Sequence, residues 1–344
     1  MAKQYDLAVV GTGTAAMVAA MQVRAAGWSV AVADCRPFGG TCALCGCDPK
    51  KLLVGGVAAT DHVRRMRGKG VAGDAKIDWS DLMAFKRDFT DPVPGKHEQR
   101  YHDQGIDTYH RRARFTGRNT IQIGNDLLDA KHVLIASGAE PVKLHIPGEE
   151  YLVTNEDFLA LRTLPQRIVL VGGGYIAAEF SHIAARAGAQ VTILQRGARL
   201  LNRFDPDLVG WLMPASDTLG IDVRLGTTVN AIESTQPGYR VHSTCHGAES
   251  TIDADLVVHA AGRAPAMESL DLEAGGVAHE CGRLVLNEYL QSVSNPAVFA
   301  AGDAAQVGPP RTPVSSHDAK AVAANLLRLA GVARRGSGGA GASS

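Results

Sequence analysis

The stretch Tyr5–Asp34, YDLAVVGTGTAAMVAAMQVRAAGWSVAVAD, decides the fold. Tyr5–Val10 is a short run rich in strand formers. It ends in GTGTAA, where Gly11, Gly13 and Ala16 fill the pattern G-x-G-x-x-[G/A]. Thr14 to Ala26 predicts a helix that Gly27 stops, and Ser29–Ala33 predicts a second buried strand closing on Asp34. The first glycine permits the tight turn, the second admits a pyrophosphate against the backbone, and Ala16 lets helix and strand approach closely. The helix N-terminus offers amide donors and the positive end of its dipole to phosphate. Asp34 stands about 20 residues past the glycines, where an acid binds a ribose hydroxyl. Together these features predict a dinucleotide-binding β-α-β unit.

The cycle starts again further on. Gln166–Val171 predicts a strand, GGGYIAAE follows, and Gly172, Gly174 and Ala177 repeat the fingerprint. A helix is expected to about Ala187 and a strand over Gln190–Leu194. Two such units in one chain imply two dinucleotides or a shared site. The second unit lacks the terminal acid: Gln195 stands there, then Arg196, with Arg199 and Arg203 nearby. An acid would repel a 2′-phosphate, whereas arginine pairs with it bidentately, so NADP is expected there rather than NAD. The proline- and glycine-rich stretches around Pro141–Gly148 and Gly262–Pro265 mark two crossovers. The fold class expected is α/β, with two Rossmann-like domains, the second (151–264) inserted into the first (1–150 and 265–330). Residues 331–344 read as a low-complexity, disordered tail.

Between the first unit and the crossover lies Gly39–Lys51, GGTCALCGCDPKK. Four residues separate Cys42 from Cys47. If Cys42 sits in a loop and Cys47 on the first turn of a helix, their sulfurs can face each other, since a bridge needs Cα atoms within about 7 Å. The stretch also reads as a metal site or as incidental cysteines. Asp48 raises the pKa of an adjacent thiol, while a helix N-terminus and Lys50 and Lys51 oppose it; the latter are expected to win. Cys45 could form a competing disulfide with Cys42, or Cys42, Cys45 and Cys47 could hold a soft metal, but the spacing supplies no fourth ligand and no metal is expected. Downstream, Lys51–Met66 predicts one helix. Trp79–Gln104 predicts two, bent at Pro92 and Pro94. Asp107–Ile123 predicts antiparallel strands, and His132–Ser137 and Ala297–Ala301 two more strands. Asp205–Leu219 predicts a helix despite Pro214, and Pro313–Leu329 a last helix.

Composition narrows the partners. The 344 residues carry equal numbers of acidic and basic side chains, so no nucleic acid or acidic membrane is expected. No apolar run reaches membrane-spanning length. Lys3 followed by Leu7–Val23 imitates a signal peptide, but Asp6, Gly11 and Gly13 fit strand, turn and helix better. The protein is therefore expected in the cytoplasm. Six cysteines in a chain this long point to catalytic or incidental thiols rather than a stapled secreted scaffold.

Six motifs in order now resemble one family: GTGTAA at Gly11, GGTCALCGCDPKK at Gly39, ASGAEP at Ala136, VGGGYIAAEF at Val171, AAGRAP at Ala260 and FAAGDAA at Phe299. Over residues 4–330 the chain is similar to the FAD-containing pyridine nucleotide-disulfide oxidoreductases, the class that includes glutathione reductase, dihydrolipoamide dehydrogenase and mercuric reductase. The resemblance implies FAD on the first fingerprint, with Gly11, Gly13 and Ala16 at the pyrophosphate and Asp34 on the adenosine ribose. It adds Gly40, Thr41, Ser137, Gly138, Gly302 and Asp303 to the FAD contacts and places Thr312 near the flavin ring. The NADP site would comprise Gly172, Gly174, Tyr175, Ile176, Arg196, Gly262 and Arg263, with Tyr175 gating the nicotinamide pocket. Cys47 would be the thiol next to the flavin and Cys42 the one that attacks substrate. Glu179 would pair with a lysine beside flavin N5, either Lys50 or Lys51. The implied activity is transfer of electrons from NADPH through FAD to the Cys42–Cys47 disulfide, then to a small-molecule disulfide.

The chain departs from the family pattern in three ways. It is expected to lack the dimerisation domain that relatives continue into and that supplies a His–Glu pair, so the flavin half-reaction is expected to survive and the thiol half-reaction to be slow or lost. Cys45 and Asp48 replace apolar residues. The first helix reads Ala20-Met21-Gln22-Val23, where glutathione reductases carry arginines for the substrate carboxylates. A mercuric ion reductase, or a flavoprotein with only diaphorase or sensor activity, are the alternatives. Cys245 and Cys281 read as packing residues.

Overall fold

A computed structural model describes residues 2–331; the expected tail, apart from Gly331, lies outside them. Packing divides the chain into two units. One holds residues 2–42, 93–139 and 264–331, the other 43–92 and 140–263.

In the first unit, β1 (Lys3–Val10), α1 (Thr14–Ala25) and β2 (Val30–Ala33) form the expected β-α-β cycle. β1 runs parallel to β2, Leu7 opposite Val30, and on its other side parallel to Asp126–Ile135. The N-terminal half of that long strand also carries an antiparallel hairpin, and its C-terminal half pairs in parallel with Val298–Ala300. A strand buried on both faces needs apolar residues at successive positions. β1 supplies them: Leu7 and Val9 enter one core, Ala8 and Val10 the other. Ala16, Ala19 and Ala20 of α1 are fully buried, small enough to bring the helix close to the sheet and to the last helix, Thr312–Leu329. Val23 of α1 and Leu326 of the last helix fill the same core, each worth about 1.5–3 kcal/mol of transfer free energy.

The chain leaves β2 through a glycine-rich stretch into α2 (Gly40–Cys45). Gly46, at φ −141° and ψ −114°, separates it from α3 (Cys47–Met66). Cys42 therefore lies on a short helix rather than in the expected loop. α3 begins at Cys47 rather than Lys51, because Pro49 falls in the first turn, where a missing amide hydrogen costs nothing.

The second unit contains β3 (Arg167–Val171), α4 (Tyr175–Arg186) and β4 (Gln190–Gln195). They belong to a four-stranded parallel sheet ordered Asp222–Leu225, β4, β3, Leu256–His259. A three-stranded antiparallel sheet follows over residues 227–254. Leu53 and Val57 of α3, with Trp79 and Met83 of the next helix, are buried in the same core as Phe158, Phe180 and Ile183. Residues 43–92 and 140–150 thus pack with the second unit, although the sequence motifs place them before the crossover. Pro214 sits inside the helix Pro206–Thr218, and among the described residues no helix is long and apolar enough to cross a membrane. The architecture is α/β with two Rossmann-like units, and residues 140–263 of the second interrupt the first.

Candidate functional site

Gly11 leaves β1 at φ +111°, and its amide donates to the Ala33 carbonyl at 2.7 Å. A Cβ there would lie 2.2 Å from the Ala136 carbonyl oxygen, so only glycine fits this turn. Gly13 caps α1 without a side-chain bond, which leaves the first-turn amides to whatever lies before them. Gly40 comes close by: its Cβ would lie 2.3 Å from Gly13 Cα. Asp34 is half-buried, and its Oδ2 accepts from the amide and hydroxyl of fully buried Thr12 at 3.0 and 2.8 Å. Its Oδ1 accepts from the Arg36 amide at 3.0 Å. Sequence reading passed over Thr12, an unspecified position of the fingerprint.

Ser137 Oγ is buried and has no hydrogen-bond partner among the described residues. Gly138 turns at φ +74°, and its carbonyl accepts from the Ala266 amide at 3.0 Å. The Gly302 amide donates to Asp318 Oδ2 at 3.2 Å, and burial raises the Asp318 pKa while that bond works against the rise. Asp303 and Thr41 are half-buried. Thr312 opens the last helix, and its hydroxyl donates to Cys42 Sγ at 3.1 Å, a contact that joins residues 270 positions apart.

The second unit repeats the turn. Gly172, at φ +109°, donates to the Leu194 carbonyl at 2.8 Å, and a Cβ there would lie 2.4 Å from the Ala260 carbonyl oxygen. Gly174 caps α4 without a side-chain bond, Tyr175 is 43% exposed and Ile176 is half-buried against the core. Buried Gln195 takes the position of the acid: its Oε1 accepts from the Gly173 amide at 3.0 Å and its Nε2 donates to the Arg199 carbonyl at 3.1 Å. Arg196 and Arg203 are exposed, while Arg199 is half-buried and donates to the Asn202 carbonyl at 2.9 Å. Gly262 is exposed at φ +122°.

Lys50 Nζ reaches both oxygens of Glu179, at 2.8 and 2.7 Å, whereas the next side chain, Lys51, is exposed. Of the two lysines left open by the sequence, Lys50 is the one paired. Cys47 is half-buried at the first position of α3, at the positive end of a 20-residue helix. Asn155, only 6% exposed, donates through Nδ2 to the Cys45 carbonyl at 3.0 Å and accepts at Oδ1 from Arg263 at 2.7 Å. Asn155 is another residue that sequence reading missed. Its only local signal is the Thr154–Asp157 capping box, which says nothing of a partner 110 positions away.

The profile of the family described as "Pyridine nucleotide-disulphide oxidoreductase" matches residues 5–319. A mercuric reductase from Staphylococcus aureus is 32% identical over 338 residues, covering 95% of this chain and 60% of the relative. A glutathione reductase from Burkholderia cepacia is 33% identical over 321 residues, covering 93% of this chain and 70% of the relative. A dihydrolipoyl dehydrogenase from Halobacterium salinarum is 28% identical over 314 residues, covering 87% and 65%. With the duplicated β-α-β turn and the cysteine stretch in place, the chain belongs to the pyridine nucleotide-disulphide oxidoreductase family. It spans 60–70% of the length of these three relatives.

Proposed function

We propose that the protein is an FAD- and NADPH-dependent disulfide oxidoreductase whose redox-active pair is Cys42 and Cys47, acting on a small-molecule disulfide. The observation that carries this reading is the duplicated glycine turn, at Gly11 and at Gly172, in one chain with a dithiol stretch. In this reading FAD is held by the domain of residues 1–150 and 265–330, and NADPH by the domain of residues 151–264. The first turn fits such a group. Gly11 and Gly40 leave no room for side chains, the α1 amides are uncapped, and the buried Ser137 hydroxyl needs a partner. Bound flavin would accept hydride from the nicotinamide and reduce the disulfide.

The chain's own residues do the rest. Gly11, Gly13 and Ala16 admit the pyrophosphate, with Gly40, Thr41, Ser137 and Gly138 around it. Asp34 keeps lone pairs for a ribose hydroxyl beyond those used by Thr12, and Gly302 and Asp303 open the second contact with FAD. In the other domain Gly172 and Gly174 admit the second pyrophosphate. Tyr175, Ile176, Gly262 and Arg263 frame the nicotinamide side, and exposed Arg196 meets the 2′-phosphate. Glu179 holds the Lys50 ammonium in a fixed place, where a cation stabilises negative charge on a reduced cofactor. The Thr312 hydroxyl donates to Cys42 Sγ and so stabilises it as the attacking thiolate. That thiolate attacks one sulfur of the substrate disulfide, a mixed disulfide forms, and Cys47 displaces the second half. Such a thiol cycle suits a reducing compartment, and in this reading the protein works in the cytoplasm.

Three cysteines within six residues, and the likeness to a mercuric reductase, support a second reading in which the pair delivers electrons to a mercuric ion. The test is an anaerobic NADPH titration of the flavin-loaded protein with thiol counting. The proposed pair gives NADPH-dependent exposure of two thiols that Cys42→Ser and Cys47→Ser both abolish. Flavin reduction without new thiols overturns the disulfide reading and leaves a diaphorase or sensor. NADPH oxidation driven by mercuric ion but by no disulfide selects the metal-ion reductase.

A further inference from the structure

α2 carries a second cysteine pair. Cys42-Ala43-Leu44-Cys45 is a Cys-x-x-Cys sequence lying wholly within the helix Gly40–Cys45. Helix dimensions put residues three apart at about 5 Å between Cα atoms, with side chains on one face. A disulfide spans Cα separations of roughly 4.4–6.8 Å. Cys42 and Cys45 therefore meet the backbone requirement for a bridge while α2 stays folded.

Cys45 is also held in place. Buried Asn155 donates to its carbonyl at 3.0 Å, and Arg263 fixes Asn155 from the other side at 2.7 Å. Cys45 is the last residue of α2, where a helix ordinarily frays, and this clamp prevents it. The buried Lys86 ammonium, tied to the Leu159 carbonyl at 2.9 Å, lies within electrostatic reach of the Cys45 sulfur. Burial lowers the Lys86 pKa, and Cys45 and Asp91 act against that lowering.

We propose that Cys45 is a third redox-active thiol and an alternative disulfide partner of Cys42, so that the centre exchanges between Cys42–Cys47 and Cys42–Cys45 bridges. This rests on the reading of Cys42–Cys47 as the redox pair. In the exchange the Cys45 thiolate attacks Cys42 Sγ. The Cys42–Cys45 bond forms, the Cys42–Cys47 bond breaks and Cys47 leaves as a thiolate, taking up the proton that Cys45 lost. No electrons enter or leave the chain. The exchange replaces one disulfide by another, and in the proposal both bridges are populated. With Cys42 bridged to Cys45, substrate attack by Cys42 is blocked while Cys47 remains a thiol. The exchange thereby parks the pair without consuming NADPH.

The test uses the full chain with Cys45→Ser and Cys47→Ser variants equilibrated in glutathione buffers. Differential alkylation and fragment mass spectrometry then locate each bridge. In Cys47→Ser, oxidised glutathione takes two electrons and two protons from Cys42 and Cys45 and leaves as two glutathione thiols, giving a Cys42–Cys45 bridge. Oxidised wild-type protein shows Cys45 and Cys47 each labelled in part. The proposal is overturned if Cys42 and Cys45 both stay alkylatable in Cys47→Ser at every ratio, and if oxidised wild type labels Cys45 completely. Failure of the parent reading looks different: Cys45→Ser then forms no Cys42–Cys47 bridge, and the exchange falls with it even if Cys47→Ser still forms Cys42–Cys45.

Discussion

The turn after β1 and the turn after β3 are built alike down to single hydrogen bonds. In each, the first glycine donates to the carbonyl of the residue just before the acid position, Ala33 at 2.7 Å and Leu194 at 2.8 Å. In each, a Cβ on that glycine would strike a carbonyl oxygen, of Ala136 at 2.2 Å or Ala260 at 2.4 Å. The amide of the next residue donates to the side chain at the acid position, Asp34 just after β2 and Gln195 at the end of β4, at 3.0 Å in both. What differs is that side chain. Asp34 is an anion that also takes the Thr12 hydroxyl, whereas Gln195 is neutral and spends its amide nitrogen on Arg199. The backbone device is common to both turns, and the two differ in one side chain each.

The sharpest way to break this equivalence is at the glycines. Gly11→Ala and Gly172→Ala each place a methyl group against immovable backbone at positive φ, so each should destabilise its own unit by on the order of 3 kcal/mol or more. Gly27→Ala, at φ +93° with nothing within 4 Å of its Cβ, carries the conformational cost alone, about 1 kcal/mol. Chemical denaturation of the three variants measures the contrast. Equal midpoints for Gly11→Ala and Gly27→Ala would show that the turn yields to a side chain.

The next effect separates the acceptors. Asp34→Ala strands the amide and hydroxyl of buried Thr12 and releases the Arg36 amide, while Gln195→Ala strands the Gly173 amide and releases the Arg199 carbonyl. Losses of about 2–3 and 1–2 kcal/mol follow for the two variants. Asp34→Asn keeps an acceptor and should restore most of the first loss. A larger loss for Gln195→Ala than for Asp34→Ala, in the same denaturation experiment, would contradict the ranking by charge-assisted bonds.

Much of this comparison was legible in the sequence, because turns that exclude side chains leave glycines at fixed spacing. The α1 prediction overran by one residue at Ala26, β2 ends at Ala33 as expected, just before the acid, and β4 runs one residue past the expected Leu194 to Gln195. What the sequence could not carry was long-range. Periodicity shows that Leu53 and Val57 face a core, but not that Phe158 and Phe180 supply it. Adjacent lysines are equivalent on paper. The helix turns about 100° between them, so only Lys50 meets Glu179. Thr312 with Cys42 and Asn155 with Cys45 join residues more than a hundred positions apart. No local pattern announces such pairs.

The smallest effect concerns what the second turn prefers to bind. Gln195 carries no charge where Asp34 does, and Arg196 beside it is exposed, so a 2′-phosphate bound there, as proposed, would meet attraction and no repulsion. An exposed arginine that pairs with phosphate contributes modestly, and Arg196→Ala should weaken NADPH binding about fivefold to tenfold while leaving NADH unchanged. Gln195→Glu keeps the acceptor for the Gly173 amide but adds the missing charge. It should narrow or reverse the preference by a similar factor, because a carboxylate accepts from a 2′-hydroxyl and repels a 2′-phosphate. Calorimetric titration of both nucleotides against both variants reads the ratio directly, and raising the salt concentration should shrink the NADPH term alone. If the ratio is indifferent to both substitutions, the end of β4 does not meet the adenosine 2′-position, and the likeness of the two turns stops at the backbone.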